Sequence, residues 1–310
     1  MTNGMPDFLV IGAPKSGTTS LYHYLDQHPG VFMSPNKEPH FFAFEGEPPS
    51  FMGTGDAQAW INTRSVTEVN EYRALFSDTS SEQVCGEAST MYLYLEESCD
   101  RIYQHNPNTK IVAFLRQPVD RAYSHYMHLR RDGREWESDF RKALELENER
   151  IGNHWSPAWH YRNVGLYCDQ VQRYIDKFGK AQVRIYLYDD LLQDAPAVYR
   201  DIFDFIGVDS AFEMDTSARH NTTKSVRKSK WLHDFLMYPN GVKSALRQVI
   251  PASVRKPLSA KVYRKNAATA QKLSAEVRRE VTASFEPEIL RLQDLVGRDL
   301  SAWLACELAC

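Results

Sequence analysis

Hydroxyl groups, glycines and a lysine are concentrated in one stretch near the start of the chain. An apolar run, Phe8 to Ile11, precedes a loop of small residues, and an amphipathic pattern follows the loop up to Leu25. The first backbone N–H groups of a helix lack internal partners, so a strand, loop and helix start of this kind predict a cradle for phosphate or sulfate. The candidate ligands in the loop are Lys15, Ser16, Gly17, Thr18, Thr19 and Ser20.

The loop differs from a phosphate-binding P-loop in the position of its lysine. The P-loop pattern is G-x-x-x-x-G-K-[ST]. Gly12 to Thr19 match its glycines and final Thr, but Thr18 stands where the Lys should be, and Lys15 comes three residues early. An ATP site would also place a Mg²⁺-binding acid at a strand end. We therefore predict an anion site that needs no metal.

A second cation follows the next clearly buried run. The apolar stretch Lys110 to Leu115 predicts a strand, and Arg116 stands at its end, where a Mg²⁺-binding acid would be expected. Ser124 comes eight residues later on a helix predicted to begin near Val119. The Arg and the Ser can converge on a second anion. Two anion sites on one ligand are typical of a nucleotide with separated phosphates.

Strands near residues 8, 111 and 184, separated by helical periodicity, predict βαβ units in a parallel sheet with ligands at the carboxyl ends of the strands. The predicted fold class is α/β: a P-loop-like central parallel sheet flanked by helices, with helical insertions and a helical C-terminus, in a single domain of residues 1–310. Four weaker features are an extended piece at Val31 to Met33, a loop at Ser34 to Phe42 imposed by two prolines, an irregular insertion at Glu45 to Thr63, and a short strand at Gln83 to Gly86.

The composition favours a soluble globular protein. The chain has 310 residues, of which 43% are hydrophobic, and a formal net charge of −3, which argues against a nucleic-acid partner. A strand at Phe8 leaves little room for a signal peptide, and the apolar runs are shorter than the roughly 20 residues of a membrane span. Five cysteines without a C-x-x-C pair indicate no zinc site. We predict a cytoplasmic protein without an integral membrane segment; the sequence does not indicate the oligomeric state.

Two motifs resemble those of a known family. PKSGTTSLYHYL resembles the 5′-phosphosulfate loop, and FLRQPVDRAYSHY the 3′-phosphate motif, of sulfotransferases that use 3′-phosphoadenosine 5′-phosphosulfate (PAPS). NKEPHFF resembles the E-x-H-F-F segment of the heparan-sulfate and related bacterial branch. RNVGLY, YLYDDL and GRDLSAW are similar to further landmarks, so the resemblance covers nearly the whole chain.

The resemblance implies PAPS as co-substrate and roles for particular residues. Lys15 would contact the bridging oxygen and the transferring sulfuryl group, and Gly17, Thr18 and Thr19 would hold the 5′-phosphosulfate. Arg116 and Ser124 would hold the 3′-phosphate. Family members also carry a basic loop late in the chain that closes over the adenosine or its 3′-phosphate. Arg227 is assigned to this loop, although the surrounding sequence matches it poorly.

Two residues are candidates for the general base. The Glu of the E-x-H-F-F segment maps onto Glu38, and His40 is two residues away. With ordinary pKa values of about 4.3 and 6.5, both are largely unprotonated at neutral pH, so basicity does not decide between them. The motif match favours Glu38. The alternative role for Glu38 is to anchor its loop to Lys37 or a neighbouring cation.

The acceptor is less well defined by the sequence. Ala88 stands where glycosaminoglycan sulfotransferases carry the Lys of E-K-T-P-x-Y, which weakens the case for a highly sulfated polymer. Three polar residues remain there as candidate contacts: Glu87, Ser89 and Thr90. Trp155 and Trp159 lie in a loop that either lines the acceptor site with aromatic faces or packs into the core.

These observations predict transfer of a sulfuryl group from PAPS to a hydroxyl, with an amine as second choice, of a carbohydrate or small-metabolite acceptor. One alternative is a P-loop kinase that uses ATP on a small molecule, which Thr18 and the missing Mg²⁺-binding acid oppose. The other is a non-catalytic nucleotide-binding scaffold, which the joint presence of Lys15 and Glu38 opposes.

Overall fold

The computed structural model describes residues 4–52, 61–215, 225–227, 267–269 and 272–305. Its centre is a five-stranded sheet in the order β2-β3-β1-β4-β5, in which every neighbouring pair is parallel. The strands are β1 (Phe8–Gly12), β2 (Val31–Met33), β3 (Val84–Ala88), β4 (Lys110–Leu115) and β5 (Val183–Leu187). A separate antiparallel pair is formed by β6 (Ser225–Arg227) and β7 (Ala267–Thr269).

Helices connect the strands and follow the sheet. They are α1 (Thr18–Leu25), α2 (Phe41–Phe44), α3 (Val69–Ala74), α4 (Glu97–His105), α5 (Pro118–Arg131), α6 (Phe140–Glu145), α7 (Glu147–Gly152), α8 (Tyr167–Phe178), α9 (Tyr188–Ile206), α10 (Ala275–Val296) and α11 (Ser301–Leu304). Short 3-10 turns lie at Pro157–Trp159 and Asn163–Gly165. The helix α9 is kinked at Asp194, two residues before Pro196.

The central strand shows why the sheet is covered on both faces. Leu9 and Ile11 pack into one cluster of buried side chains, whereas Phe8 and Val10 pack into another. Successive side chains of a strand point to opposite faces, so a strand that is apolar throughout needs helices on both sides. The predicted parallel α/β sheet flanked by helices is confirmed.

The register of the strands brings their carboxyl ends to one edge. Val10 of β1 lies opposite Ala88 of β3, and Gly12 of β1 lies opposite Ala113 of β4. The segments that leave these three strands therefore start side by side. They carry the predicted anion loop, the polar residues after β3, and Arg116.

Some predicted boundaries were wrong. The segment 34–42 is not a loop throughout, because α2 begins at Phe41 with His40 as its N-cap. Pro39 precedes the N-cap, so it does not interrupt the helix. The strand β3 continues to Ala88, two residues beyond the predicted end. Residues 53–60 of the predicted insertion, and Cys306 and Cys310, lie outside the described residues.

Close packing of β3 against β1 can be tested at Gly86. A Cβ at this position would lie 2.1 Å from Cζ of Phe8. We expect Gly86→Ala to lower the free energy of unfolding by about 1–3 kcal/mol or more, because overpacking forces the neighbours apart. Urea unfolding measures the change. The control is Gly152→Ala, where a Cβ meets nothing within 4 Å; equal stability of the two variants would contradict the packing described.

Candidate active site

The loop between β1 and α1 leads into a helix N-terminus whose first N–H groups make no helical hydrogen bond. Gly17 is the N-cap residue, with φ of 92°, and a Cβ there would lie 3.2 Å from Leu191 and 3.3 Å from Tyr188. The N–H of Leu21 donates to the Gly17 carbonyl at 3.1 Å. The earlier N–H groups of α1 precede this first helical bond, so they are available to an anion.

Two cations flank this helix end. Arg116 follows β4, and its Nη1 donates to the Lys15 carbonyl at 3.1 Å while its guanidinium lies 4.7 Å from the Tyr188 ring centroid. The strand-end arginine thereby fixes the loop that carries the lysine. Burial, together with the charges of Arg131 and Arg116, lowers the pKa of Lys15 to about 8. Lys15 is therefore still mainly a cation at neutral pH, and it loses its charge in the mildly alkaline range.

One cavity of about 830 Å³ joins most of the predicted site residues. The predicted donor-binding residues that line it are Lys15, Gly17, Thr18, Thr19, Ser20, Arg116 and Ser124. Ser16 is fully buried behind the loop and does not line it, and its Oγ has no hydrogen-bond partner among the described residues. An open helix end and two cations fit a phosphosulfate group.

Arg227 is only partly placed. It ends β6, and the backbone of that strand packs beside α5, the helix that carries Ser124. The Arg227 side chain lies outside what the structure describes. Its predicted role in binding the nucleotide therefore stays a prediction.

The same cavity wall carries both candidate bases. Glu38 and His40 line it together with Lys37, Thr90 and Tyr94. Glu38 accepts from Lys37 Nζ at 2.9 Å and from Thr90 Oγ1 at 3.2 Å. The pairing with Lys37 that the sequence suggested is thus present, and it leaves Glu38 in the cavity wall.

The two candidate bases differ in charge and exposure. Burial raises the pKa of Glu38, but the charge of Lys37 and the hydrogen bonds from Lys37 and Thr90 hold this pKa below its usual value. Burial lowers the pKa of His40, which is 2% exposed, so its imidazole is neutral at pH 7. The Ser65 hydroxyl donates to the Ile61 carbonyl at 2.8 Å, which leaves its oxygen to accept from His40 Nδ1 at 3.5 Å. In that tautomer Nε2 of His40 carries a lone pair, so either residue can accept a proton.

The expected acceptor contacts are only partly in the cavity. Thr90 lines it, but Glu87 and Ser89 are fully buried and do not, so their predicted direct contact with an acceptor is wrong. Their side chains point into the interior below the cavity, where tyrosines surround the carboxyl group of Glu87.

The two tryptophans pack rather than line the cavity. Trp159 is 1% exposed, and Trp155 meets it edge to face at a centroid distance of 5.4 Å. The loop reaches the cavity through Ser156, Pro157 and Ala158 instead.

Several residues of the cavity wall escaped the sequence analysis. His125 and His128 lie one and four residues after Ser124 on α5, and Tyr188 lies under Arg116. The i,i+4 spacing of His128 from Ser124 was the available signal, whereas His125, the next residue after Ser124, gave none. Nδ1 of His128 lies 3.4 Å from Nζ of Lys15, and burial and Lys15 lower the pKa of His128 to about 4. The ring is therefore neutral beside the lysine.

The described residues show neither a cluster of metal ligands nor a membrane-spanning helix. No group of three or more His, Cys, Asp or Glu residues within the described ranges is placed to hold a metal ion. No helix in that part of the chain has the length and apolar character needed to cross a membrane. The predictions that no metal is used and that the protein is cytoplasmic stay predictions.

Comparison with known proteins points to one family. The family described as "Sulfotransferase domain" matches residues 5–265. A crystal structure of a sulfotransferase from Alicyclobacillus acidocaldarius is similar, with a TM-score of 0.76 and 36% sequence identity, covering 97% of this chain and 99% of that one.

Curated relatives match a smaller part. Human carbohydrate sulfotransferase 15 is 24% identical over 246 residues, covering 66% of this chain and 44% of the relative. Mouse heparan sulfate glucosamine 3-O-sulfotransferase 3B1 is 27% identical over 207 residues, covering 66% and 46%. The chain thus spans less than half the length of these relatives. The family match covers most of the chain and agrees with the two sequence motifs and the parallel sheet: the chain belongs to the sulfotransferase domain family.

Proposed function

We propose that the protein transfers a sulfuryl group from PAPS to a hydroxyl, with an amine as second choice, of a carbohydrate or small-metabolite acceptor. The observation that carries this proposal is that Lys15, the N-terminus of α1, Arg116, Glu38 and His40 all line one cavity. Membership of the sulfotransferase domain family supports it. The names of the relatives, a carbohydrate and a heparan sulfate sulfotransferase, support a carbohydrate acceptor.

The loop and helix would bind the two ends of the nucleotide. The N–H groups at the start of α1 and the Lys15 ammonium bind the 5′-phosphosulfate, and Arg116 with Ser124 binds the 3′-phosphate. Each contact between an anion and a helix end is worth about 0.3–1 kcal/mol, and up to about 2 kcal/mol when partly buried. Several such contacts, with two cations, are therefore needed for tight binding.

Glu38 and Lys15 have complementary roles in the reaction. PAPS supplies a sulfuryl group on a phosphate leaving group. Glu38 takes the proton of the acceptor as the new bond to sulfur forms, with His40 as the alternative base. Lys15 and the helix N–H groups stabilise the charge that grows on the phosphate oxygen as its bond to sulfur breaks. Residues that hold the two reactants in line lower the barrier without a metal.

Transfer of labelled sulfate from PAPS to a panel of sugars, phenols and lipids tests this function. We expect transfer by the wild type, near-complete loss in Lys15→Ala, and a loss of about 10²–10⁴-fold in kcat for Glu38→Ala, the range of a general base. The control is Lys177→Ala, which removes an exposed lysine that pairs with Asp100 on α4. A folded wild type that binds PAPS but transfers nothing to any acceptor would contradict the catalytic roles.

The pKa of Lys15 predicts an alkaline limb in the rate. We expect kcat/KM for PAPS to fall as the pH rises through about 8, because the neutral amine no longer stabilises the leaving phosphate. The profile of kcat/KM reports the free enzyme, in which this pKa applies. In Lys15→Arg the rate is lower but the limb moves to higher pH, because a guanidinium keeps its charge. An unchanged limb in Lys15→Arg would assign it to another group.

The backbone at Gly17 predicts a selective loss of donor affinity. In Gly17→Ala an L side chain must adopt φ of 92° and press on Leu191 and Tyr188. We expect affinity for 3′-phosphoadenosine 5′-phosphate to fall about tenfold, since a left-handed residue costs about 1–2 kcal/mol and the helix end can relax to avoid it. Calorimetric titration measures the affinity. Gly179→Ala is the control, because Gly179 has φ of 77°, meets nothing within 4 Å and lies outside the cavity wall; equal affinity losses in both variants would refute a local effect.

A further inference from the structure

We propose that Glu87 is a positioning residue for the general base: its buried carboxyl group orients the Tyr92 hydroxyl, which helps to hold the segment 38–42 and thereby Glu38 and His40. The inference rests on the proposed function, since it concerns the base of that reaction. Glu87 does not line the cavity, and it acts through the residues between it and the base.

The segment 38–42 is held in an unusual backbone conformation. Glu38 and His40 have φ of 61° and 57°, in the left-handed region that residues with a side chain rarely adopt. Such residues persist when the surrounding structure determines them strongly, and they cluster at functional sites. Both candidate bases therefore depend on contacts that hold the segment.

Three alternate N–H groups of the segment supply these contacts. The N–H of Glu38 donates to the Ala88 carbonyl at 3.0 Å. The N–H of His40 donates to Ser89 Oγ at 3.1 Å, and the N–H of Phe42 donates to the Tyr92 hydroxyl at 3.4 Å. The first acceptor belongs to the end of β3, but the other two are side-chain hydroxyls that can rotate.

Glu87 fixes the direction of one of these hydroxyls, that of Tyr92. Tyr92 donates its proton to Glu87 Oε2 at 2.8 Å, which leaves an oxygen lone pair for the N–H of Phe42. A hydroxyl has one proton, so a carboxylate that takes it commits the oxygen to act as an acceptor on its other side.

The surroundings of Glu87 argue against a simple stabilising role. The side chain is fully buried, and the groups that face it are the hydroxyls of Tyr72, Tyr92 and Ser89 and the carboxylate of Glu38, with no cation among them. Burial, with the Glu38 charge adding to it, raises the pKa of Glu87 to about 7. Its Oε1 has no hydrogen-bond partner among the described residues. A carboxyl group kept there without an ion pair costs stability, so its contribution is the geometry that it imposes.

Tyr72 offers a matched control. It also donates to Glu87 Oε2, at 3.0 Å, but donates to no atom of the segment 38–42. Its ring stacks on Phe41 at a centroid distance of 4.3 Å, and that stacking survives removal of the hydroxyl. Tyr72→Phe therefore removes one bond to Glu87 and leaves the link through Tyr92 intact.

The experiment compares Glu87→Leu, Tyr92→Phe and Tyr72→Phe in the full chain. Leu has a similar size but cannot accept the Tyr92 proton. We expect the first two to lower kcat tenfold or more and to leave the KM for PAPS, and the affinity for 3′-phosphoadenosine 5′-phosphate, within about twofold. Tyr72→Phe is expected to keep kcat within about threefold. Unchanged kcat in folded Glu87→Leu and Tyr92→Phe, or an equal loss in Tyr72→Phe, would overturn the proposal. If Glu87→Leu fails to fold, Tyr92→Phe alone decides.

Amide hydrogen exchange separates this inference from the proposed function. We expect the N–H group of Phe42 to exchange at least tenfold faster in Glu87→Leu and in Tyr92→Phe than in the wild type. This readout needs no turnover. Faster exchange in a wild type that transfers no sulfuryl group would support the positioning role and refute the function; unchanged exchange would refute the positioning role even if the enzyme is active.

Discussion

The parallel pairing of β1 with both β3 and β4 is the constraint on which the site depends. It places three strand ends side by side, so that the anion loop leaves the middle strand between Arg116 on one side and the residues after Ala88 on the other. On one side, the Arg116 guanidinium donates to the Lys15 carbonyl. On the other, the Ala88 carbonyl accepts from the N–H of Glu38. Without this alignment, Lys15 and Glu38 would not line the same cavity.

Charge is arranged around the cavity by burial and by neighbours. Glu38 keeps a lowered pKa because Lys37 is bonded to it, whereas Glu87, without a cation, has a raised one. Two carboxyl groups close together with pKa values moved apart are typical of sites that hold one proton acceptor ready at neutral pH. Burial and the charges of Arg131 and Arg116 lower the pKa of Lys15. The neutral His128 ring, which also contacts Lys15, adds no charge.

The residues proposed to bind the donor could be identified from the sequence because the patterns that mark them are local. The order of strand, loop and helix from Phe8 to Leu25 is contiguous, and Arg116 and Ser124 belong to one strand and the helix that follows it. The base side depends on contacts between distant segments. Glu38 meets Thr90, and His40 meets Ser89, only because β2 pairs with β3. The burial of Glu87 and Trp159 likewise follows from tertiary packing, which an acidic or aromatic letter in a sequence does not reveal.

A calorimetric titration that compares 3′-phosphoadenosine 5′-phosphate with adenosine 5′-monophosphate, for the wild type and for Arg116→Gln, tests directly whether one cavity holds two separated phosphates. One phosphate would lie at the N-terminus of α1 and the other at Arg116 and Ser124. We expect the wild type to bind the bisphosphate at least tenfold more tightly, and Arg116→Gln to remove most of this preference. Equal affinities for the two nucleotides in the wild type, or a preference unchanged in Arg116→Gln, would contradict it.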